Sequence, residues 1–352
     1  AIQLLEELSA QVPDDPNVQR NFATSRGNLA GILRSVGRGD EAEAIYRQNL
    51  TALTQLANDY PEDDKIRGFL ADTYAALSDL LSGWGQSQEA ESAARERVKV
   101  WEAAASQWPE KPSARRSLAG SITGLGVMLA RAGRTAECEE LFRRSVELRE
   151  SVVNDFPVIP GCRLELAESQ RFLGNVLRET RQPERALQEY ERSITNLQKL
   201  VHDLPENPSI QRSLCDTYFH LGNVLDDLGR IDDAEKAWRS AVESHDKLTA
   251  KFPQFAASPP LDTALNNLAL AVKKRGDLEE ARSLLERGIQ ALETGLITDP
   301  KDQRRRSVLF ASLWNLARTH IQLGDHLRAA AVTAVGIPQA TSMFSKTRFI
   351  SA

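Results

Sequence analysis

The residues LGNVL stand at 173–177, inside FLGNVLRETRQPERALQEYERS, and again at 221–225, inside HLGNVLDDLGRIDDAEKAWRSA. The two copies lie 48 positions apart. So do Pro13, Pro61, Pro109, Pro157, Pro205 and Pro253, with Pro300 following after 47. A leucine lies 16 residues past each of the first five prolines, at Leu29, Leu77, Leu125, Leu173 and Leu221. Leu268 and Leu316 complete the series once one residue is deleted before Leu268. After each leucine comes a small residue: Ala30, Ser78, Gly126, Gly174, Gly222, Ala269 and Ala317. A second small residue follows 12 positions later, at Ala42, Ala90, Cys138, Ala186, Ala234, Ala281 and Ala329. A fixed period of this kind marks an array of repeated supersecondary units.

Between these landmarks the apolar residues keep helical spacing, as in Leu173, Val176, Leu177 and then Ala186, Leu187, Tyr190. Turns are expected at Gly37, Gly85, Gly133, Gly229, Gly276 and Gly324; the fourth unit has Arg181 there instead, with Pro183 in the first turn of its second helix. Each unit therefore reads as a helix–turn–helix hairpin whose helices approach closely over the small residues. Apolar residues such as Leu197, Leu200, Val201 and Leu204 continue toward each proline, so the extra length of the period is helix. Asp15 and Asn207, each just before a proline, suit helix N-caps.

The pattern L-G-x-x-L, a small residue 12 past the glycine, and an aromatic four later (Tyr46, Phe142, Tyr190, Trp238) resembles the tetratricopeptide repeat. NNLALAVKKRGDLEEARSLLERG at 266–288 is similar to kinesin-light-chain-type repeats. The DFP…P junction together with LGNVL resembles the arrays that follow the kinase domain in certain bacterial serine/threonine protein kinases. The resemblance implies an all-α fold, an α-solenoid forming a right-handed superhelix of seven long hairpins. The hairpins are expected at 13–60, 61–108, 109–156, 157–204, 205–252, 253–299 and 300–335. The departure from the family is the period, 48 rather than about 34 residues. Residues 1–12 align with the tail of a preceding second helix, and 336–352 with the start of a further segment, so both ends look cut.

Bulk composition narrows the function. A net charge of −5 favours neither nucleic acid nor an anionic membrane surface. The longest uncharged stretch, 329–345, is interrupted by Gly336 and Pro338 and is a poor membrane span. Three cysteines, Cys138, Cys162 and Cys215, are widely spaced and form no metal pair, which suits a reducing, cytoplasmic setting. No nucleotide-binding, zinc-protease, hydrolase or kinase motif is present, and no cofactor is expected. The five histidines share no repeat offset. Arginine recurs shortly after the junction proline, at Arg20, Arg67, Arg115, Arg116, Arg163, Arg212 and Arg306, which favours salt bridges between repeats.

The expected function is non-catalytic: a protein–protein interaction scaffold, the partner-binding arm of a larger signalling protein. The rival is an architectural spacer or self-association rod. In tetratricopeptide arrays the first helices line a concave peptide groove. Here the stripe two before and two and five after each leucine is bland in the first three units. It becomes varied at Arg171, Asn175 and Arg178, Phe219 and Asn223, Lys273, Trp314 and Arg318. These eight are the candidate partner-binding residues. Asn175 and Asn223 match the position where peptide-binding members of the family often hold the ligand backbone with an amide.

Overall fold

A computed structural model describes residues 15–157, 159–255 and 261–336, with Leu4, Glu7 and 10–12 ahead of them. The described residues contain fourteen α-helices and no strand. They pair as α1 (Pro16–Ser35) with α2 (Gly39–Asp59), α3 (Asp64–Gly83) with α4 (Ser87–Gln107), and α5 (Pro112–Arg131) with α6 (Thr135–Asp155). Then come α7 (Pro160–Glu179) with α8 (Pro183–Asp203), α9 (Pro208–Asp227) with α10 (Ile231–Lys251), and α11 (Leu261–Arg275) with α12 (Leu278–Thr298). The last pair is α13 (Gln303–Gln322) with the short α14 (His326–Ala331), which runs into a π-helical turn at Val332–Gly336. The chain divides into two compact units, Ala1–Cys162 and Arg163–Ala352.

The ruler read from the prolines is the ruler of the helices. The first helices of the first five hairpins begin at residues 16, 64, 112, 160 and 208 and hold 20 residues, while each of their second helices holds 21. At the usual rise each is about 30 Å long. The extra residues of the period are therefore helical. Asp15 accepts from the backbone N–H groups of Asn17 and Val18, and Asn207 from those of Ser209 and Ile210, so both are N-caps as expected. Asp63 does the same for α3.

Every hairpin turn takes the left-handed backbone, at Gly37, Gly85, Gly133, Gly229, Gly276, Gly324 and Arg181. Arg181, with φ 61°, is the one non-glycine residue there among those described. The next N–H reaches back five residues, as from Gln182 to the Leu177 carbonyl and from Arg230 to that of Leu225. This closes each first helix with the bond that a left-handed cap provides. Arg181 carries the backbone strain that glycine spares its siblings.

The small residues of the crossing are buried throughout, from Ala42, Ala90, Cys138, Ala186, Ala234 and Ala281 at 0% to Ala329 at 5% exposure. Five of the seven seam leucines are buried outright, and Leu29 and Leu221 pack partly buried against their clusters.

Two hairpins depart from the ruler. Helix α11 has 15 residues and a short 3-10 turn stands before it at Pro253–Phe255; the one-residue deletion falls between Pro253 and Leu268. In the seventh hairpin, six residues of α14 and five of the π turn stand where siblings have 21. Val332 and Thr333, β-branched residues of low helix propensity, are followed by Gly336, which weakens a second helix there. Of the further segment read at 336–352, all but Gly336 lies outside the described residues.

Candidate functional site

The repeated LGNVL is a packing device with a polar tip. In hairpin four, Leu173, Val176 and Leu177 are buried, and a Cβ on Gly174 would lie 2.7 Å from the ring of Tyr190. Hairpin five repeats this with Leu225 and Val224 buried and the ring of Trp238 seated on Gly222 so closely that a Cβ would overlap it. In hairpin three, Phe142 sits on Gly126 in the same way, 3.0 Å from such a Cβ. Glycine is thus required by an incoming ring and not by backbone conformation. Hairpins without the glycine mostly carry smaller partners at the ring position: Ser78 with Ala94, Ala269 with Leu285, Ala317 with Thr333. The first hairpin combines Ala30 with Tyr46.

The ring then orients the asparagine. Tyr190 donates its hydroxyl proton to Asn175 Oδ1 at 2.8 Å, and Trp238 Nε1 donates to Asn223 Oδ1 at 3.1 Å. Asn267 Nδ2 donates to the same Asn223 oxygen at 3.0 Å. With each carbonyl oxygen held inside, each amide NH2 points outward, and no described residue accepts from it. Burial pushes the Tyr190 hydroxyl well above the usual phenol range, so it stays a donor.

The other predicted residues separate into two groups. The stripe two before and five after each leucine does not face open solvent in the interior of the second unit, because it meets the next first helix. Arg178 on α7 pairs with Asp227 on α9. Asn266 Oδ1 on α11 accepts from Ser312 and Asn315 on α13, and Lys273 Nζ donates to Thr319 Oγ1 at 3.1 Å. Phe219 corrects the sequence reading: it is only 9% exposed and lies in a core cluster with Leu261, Leu265 and Leu268, so it offers no ring to a partner. Helical periodicity identifies a polar-to-apolar boundary; it does not say which neighbour covers it. Arg171 is half-buried, its guanidinium 4.8 Å from the Phe172 ring centroid. Trp314 and Arg318 on α13 are exposed.

Beside the predicted Asn223, Asp216 and His220 on α9 are half-buried. Asn recurs one before the leucine, at Asn28, Asn267 and Asn315. His220 takes that place in hairpin five, stacked 5.9 Å from Tyr190, and burial holds its pKa down at about 3, with Arg171 and Arg178 acting in the same direction. Burial also raises the Asp216 carboxyl above the usual range, against the pull of Arg171 and Arg212. Toward the end of the unit the surface turns basic, with Lys273, Lys274 and Arg318 near one another in the stack and no ion pair to any described carboxylate. Burial and then Arg318 lower the Lys273 pKa.

The run at 304–306, the most basic stretch of the sequence, is consumed internally. Arg304 binds the buried Asp262 at 3.0 Å, and Arg306 donates to the Pro300 carbonyl. Arg20 with Asp63 is an ion pair between hairpins, as expected of the recurring arginines; Arg115 instead pairs with Asp155 inside its own hairpin, and Arg67 lies over the Trp108 ring. The three cysteines are buried, and burial raises the Cys215 thiol above the usual thiol range. No group of metal-binding side chains occurs among the described residues, and no described helix is long and apolar enough to cross a membrane.

Comparison with known proteins agrees with this geometry. Tetratricopeptide-repeat models match residues 22–59 and 118–157, and a further such model matches 219–295. No curated protein matches the sequence. Among solved structures the chain is similar to a signal transduction ATPase with numerous domains and a tetratricopeptide repeat sensor, from Pyrococcus horikoshii. That match has 12% identity and a TM-score of 0.59, and covers 98% of this chain and 47% of that one. It is also similar to the apo form of RapI, at 13% identity and a TM-score of 0.54, over 92% of this chain and 99% of that one. BtubC (BKLC) from P. vanneervenii matches at 18% identity and a TM-score of 0.52, over 72% and 90%. At these identities the likeness is one of fold. Tetratricopeptide repeats generally mediate protein–protein interaction. The chain carries tetratricopeptide repeats, built as long paired helices in an α-solenoid fold.

Proposed function

We propose that this chain is a non-catalytic interaction scaffold whose second unit binds an extended segment of a partner protein along its first helices. The observation that carries the reading is the pair Asn175 and Asn223, each amide turned by an aromatic tip so that its NH2 faces outward. Two such donors in successive hairpins suit the carbonyls of an extended backbone, which repeats its acceptors along its length. Lys274 and Arg318 beyond them, with Lys273 at the edge, favour acidic side chains at one end of that segment. Arg171 and Arg178 flank the asparagine of hairpin four. In a larger signalling protein, such as a serine/threonine kinase, the chain would be the partner-binding arm.

A displayed library of random linear peptides tests this. The protein should enrich Asp- and Glu-containing sequences, and Asn175→Ala/Asn223→Ala should weaken their binding about tenfold or more, as loss of a central interface contact does. Gly31→Lys/Asp79→Lys, in the first unit, should leave binding intact. Binding abolished by the lysine pair and untouched by the asparagine pair would place the site elsewhere.

A further inference from the structure

The joint between hairpins one and two encloses a cavity of about 220 Å³, lined by Gly27 on α1, Tyr46 and Leu53 on α2, and Phe69, Asp72 and Ala76 on α3. The space belongs to an internal joint and not to an end of the array. Asn266, two before its leucine, meets Ser312 and Asn315, four and one before the next. Gly27 faces Thr73 and Ala76 in the same register, and both of these also line the cavity.

The corresponding places in hairpins four and five carry larger groups. Three periods of 48 residues on, Gly27 corresponds to Arg171, Ala76 to His220, Tyr46 to Tyr190 and Asp72 to Asp216. There His220 stacks on the Tyr190 ring at 5.9 Å, and the positive charge of Arg171 acts on the Asp216 carboxyl. Gly27 and Ala76 take away that cation and that flat ring, and leave Tyr46 and Asp72 behind. Tyr46 is only 4% exposed, yet its hydroxyl has no hydrogen-bond partner among the described residues, whereas that of Tyr190 donates to Asn175. Asp72 is exposed, and no described hydrogen bond or ion pair holds its carboxylate; Arg97 on α4 lies near it without pairing.

We propose that this cavity receives an arginine side chain of a partner protein, its guanidinium lying against Tyr46 and its charge met by Asp72. Guanidinium combines what Arg171 and His220 supply at the sibling joint: a full positive charge and a flat face that stacks on aromatic rings. Its five N–H donors are enough for the Asp72 carboxylate and the Tyr46 hydroxyl oxygen together. Leu53 and Phe69 offer apolar wall to the aliphatic stem. A lysine ammonium would bring the charge without the plane. The site lies in the first unit and uses none of the residues proposed above for the acidic segment, so the two readings stand or fall separately.

Selection of displayed random linear peptides on the whole 352-residue chain is the test. Apart from the acidic peptides, a class whose members each contain an arginine should be enriched. Replacing that arginine by citrulline, which keeps the shape and loses the charge, should weaken binding about tenfold or more. Lysine should not restore it. Asp72→Asn should cause a similar loss, and because Asp72 is exposed the variant keeps the fold. Gly27→Arg should abolish this binding by filling the cavity from within; a Cβ there comes no nearer than 3.6 Å to Asn49 Nδ2, so the side chain has room to start. Acidic peptides should bind both variants as they bind the wild type. The proposal is overturned if no arginine-containing class appears, or if that class binds Asp72→Asn as tightly as the wild type. Peptides that bind equally well with citrulline or lysine in place of arginine would overturn it too, since shape or charge alone would then suffice.

Discussion

Hairpins two and five follow the same backbone plan and fill it differently. In α3 and α4 the crossing holds Ser78 against Ala94, and the Ser78 hydroxyl donates to the Ala90 carbonyl at 2.8 Å. In α9 and α10 it holds Gly222 against Trp238, and the indole donates to Asn223. Both pairs close a 20-residue helix on a 21-residue one. One backbone plan thus accommodates either a small pair or a glycine with a ring at the crossing. A large ring brings a consequence that a small side chain cannot: its polar end emerges beside the exposed stripe and sets the rotation of the amide there. Asp79 stands at the corresponding position of hairpin two, and no described hydrogen bond or ion pair holds its carboxylate. The ring and the orientation of the neighbouring amide are coupled in hairpins four and five, and hairpin two has no such pair.

The largest effect that can break this comparison is removal of the ring. Trp238→Ala should cost about 3–5 kcal/mol, whereas Ala94→Gly at the same place in hairpin two should cost about 1 kcal/mol from helix propensity. Equal losses in urea titrations would mean that the ring is not the filler. Leu173→Ala, which opens the seam in hairpin four, should fall at about 2–5 kcal/mol by the same cavity argument.

His220 sharpens the comparison by pH. Its pKa in the fold is about 3, so it stays neutral where the unfolded chain would bind a proton. Between that value and the unfolded value near 6.5 the unfolded state holds more protons, so stability rises with pH. Acidification through this window should cost up to about 1.4 kcal/mol per pH unit at this site. The raised carboxyl of Asp216 acts in the opposite sense, because its proton is held more tightly in the fold. His220→Asn, the residue of three sibling hairpins, should remove the histidine's part of the slope. Denaturation midpoints of the two proteins should therefore change relative to each other across this range; a constant difference would show that His220 is not held neutral. The smallest expected effect is Asn223→Ala, about 1 kcal/mol for the bond to Trp238, with its weight falling on peptide binding instead.

Much of this architecture is legible in the residues themselves. Glycines at one offset predict the left-handed turns, and the register is strong enough to place Arg181 in the same conformation without a glycine. Proline pairs and their Asp or Asn neighbours predict the caps. What escapes is relational. Phe219 reads as a stripe residue because a helical wheel reports a direction, while the helix that buries it comes from a hairpin 48 residues on. The amide orientation escapes for the same reason: Tyr190 and Asn175 are 15 residues apart on different helices. The glycine and the aromatic 16 later, large only where the first is smallest in all but the first hairpin, are the available signal.

The central claim is that glycine in LGNVL exists to seat a ring, and a double-mutant cycle tests it most directly. Gly222→Ala should destabilise the wild type by about 1–3 kcal/mol, the usual cost of overpacking. In a Trp238→Leu background, which copies the Ala269 and Leu285 pair of hairpin six, the same change should stabilise by up to about 1 kcal/mol, because alanine is the better helix former. A reversal of sign between the two backgrounds is the predicted result. The same cost in both would contradict the account, since the glycine would then answer to something other than the ring.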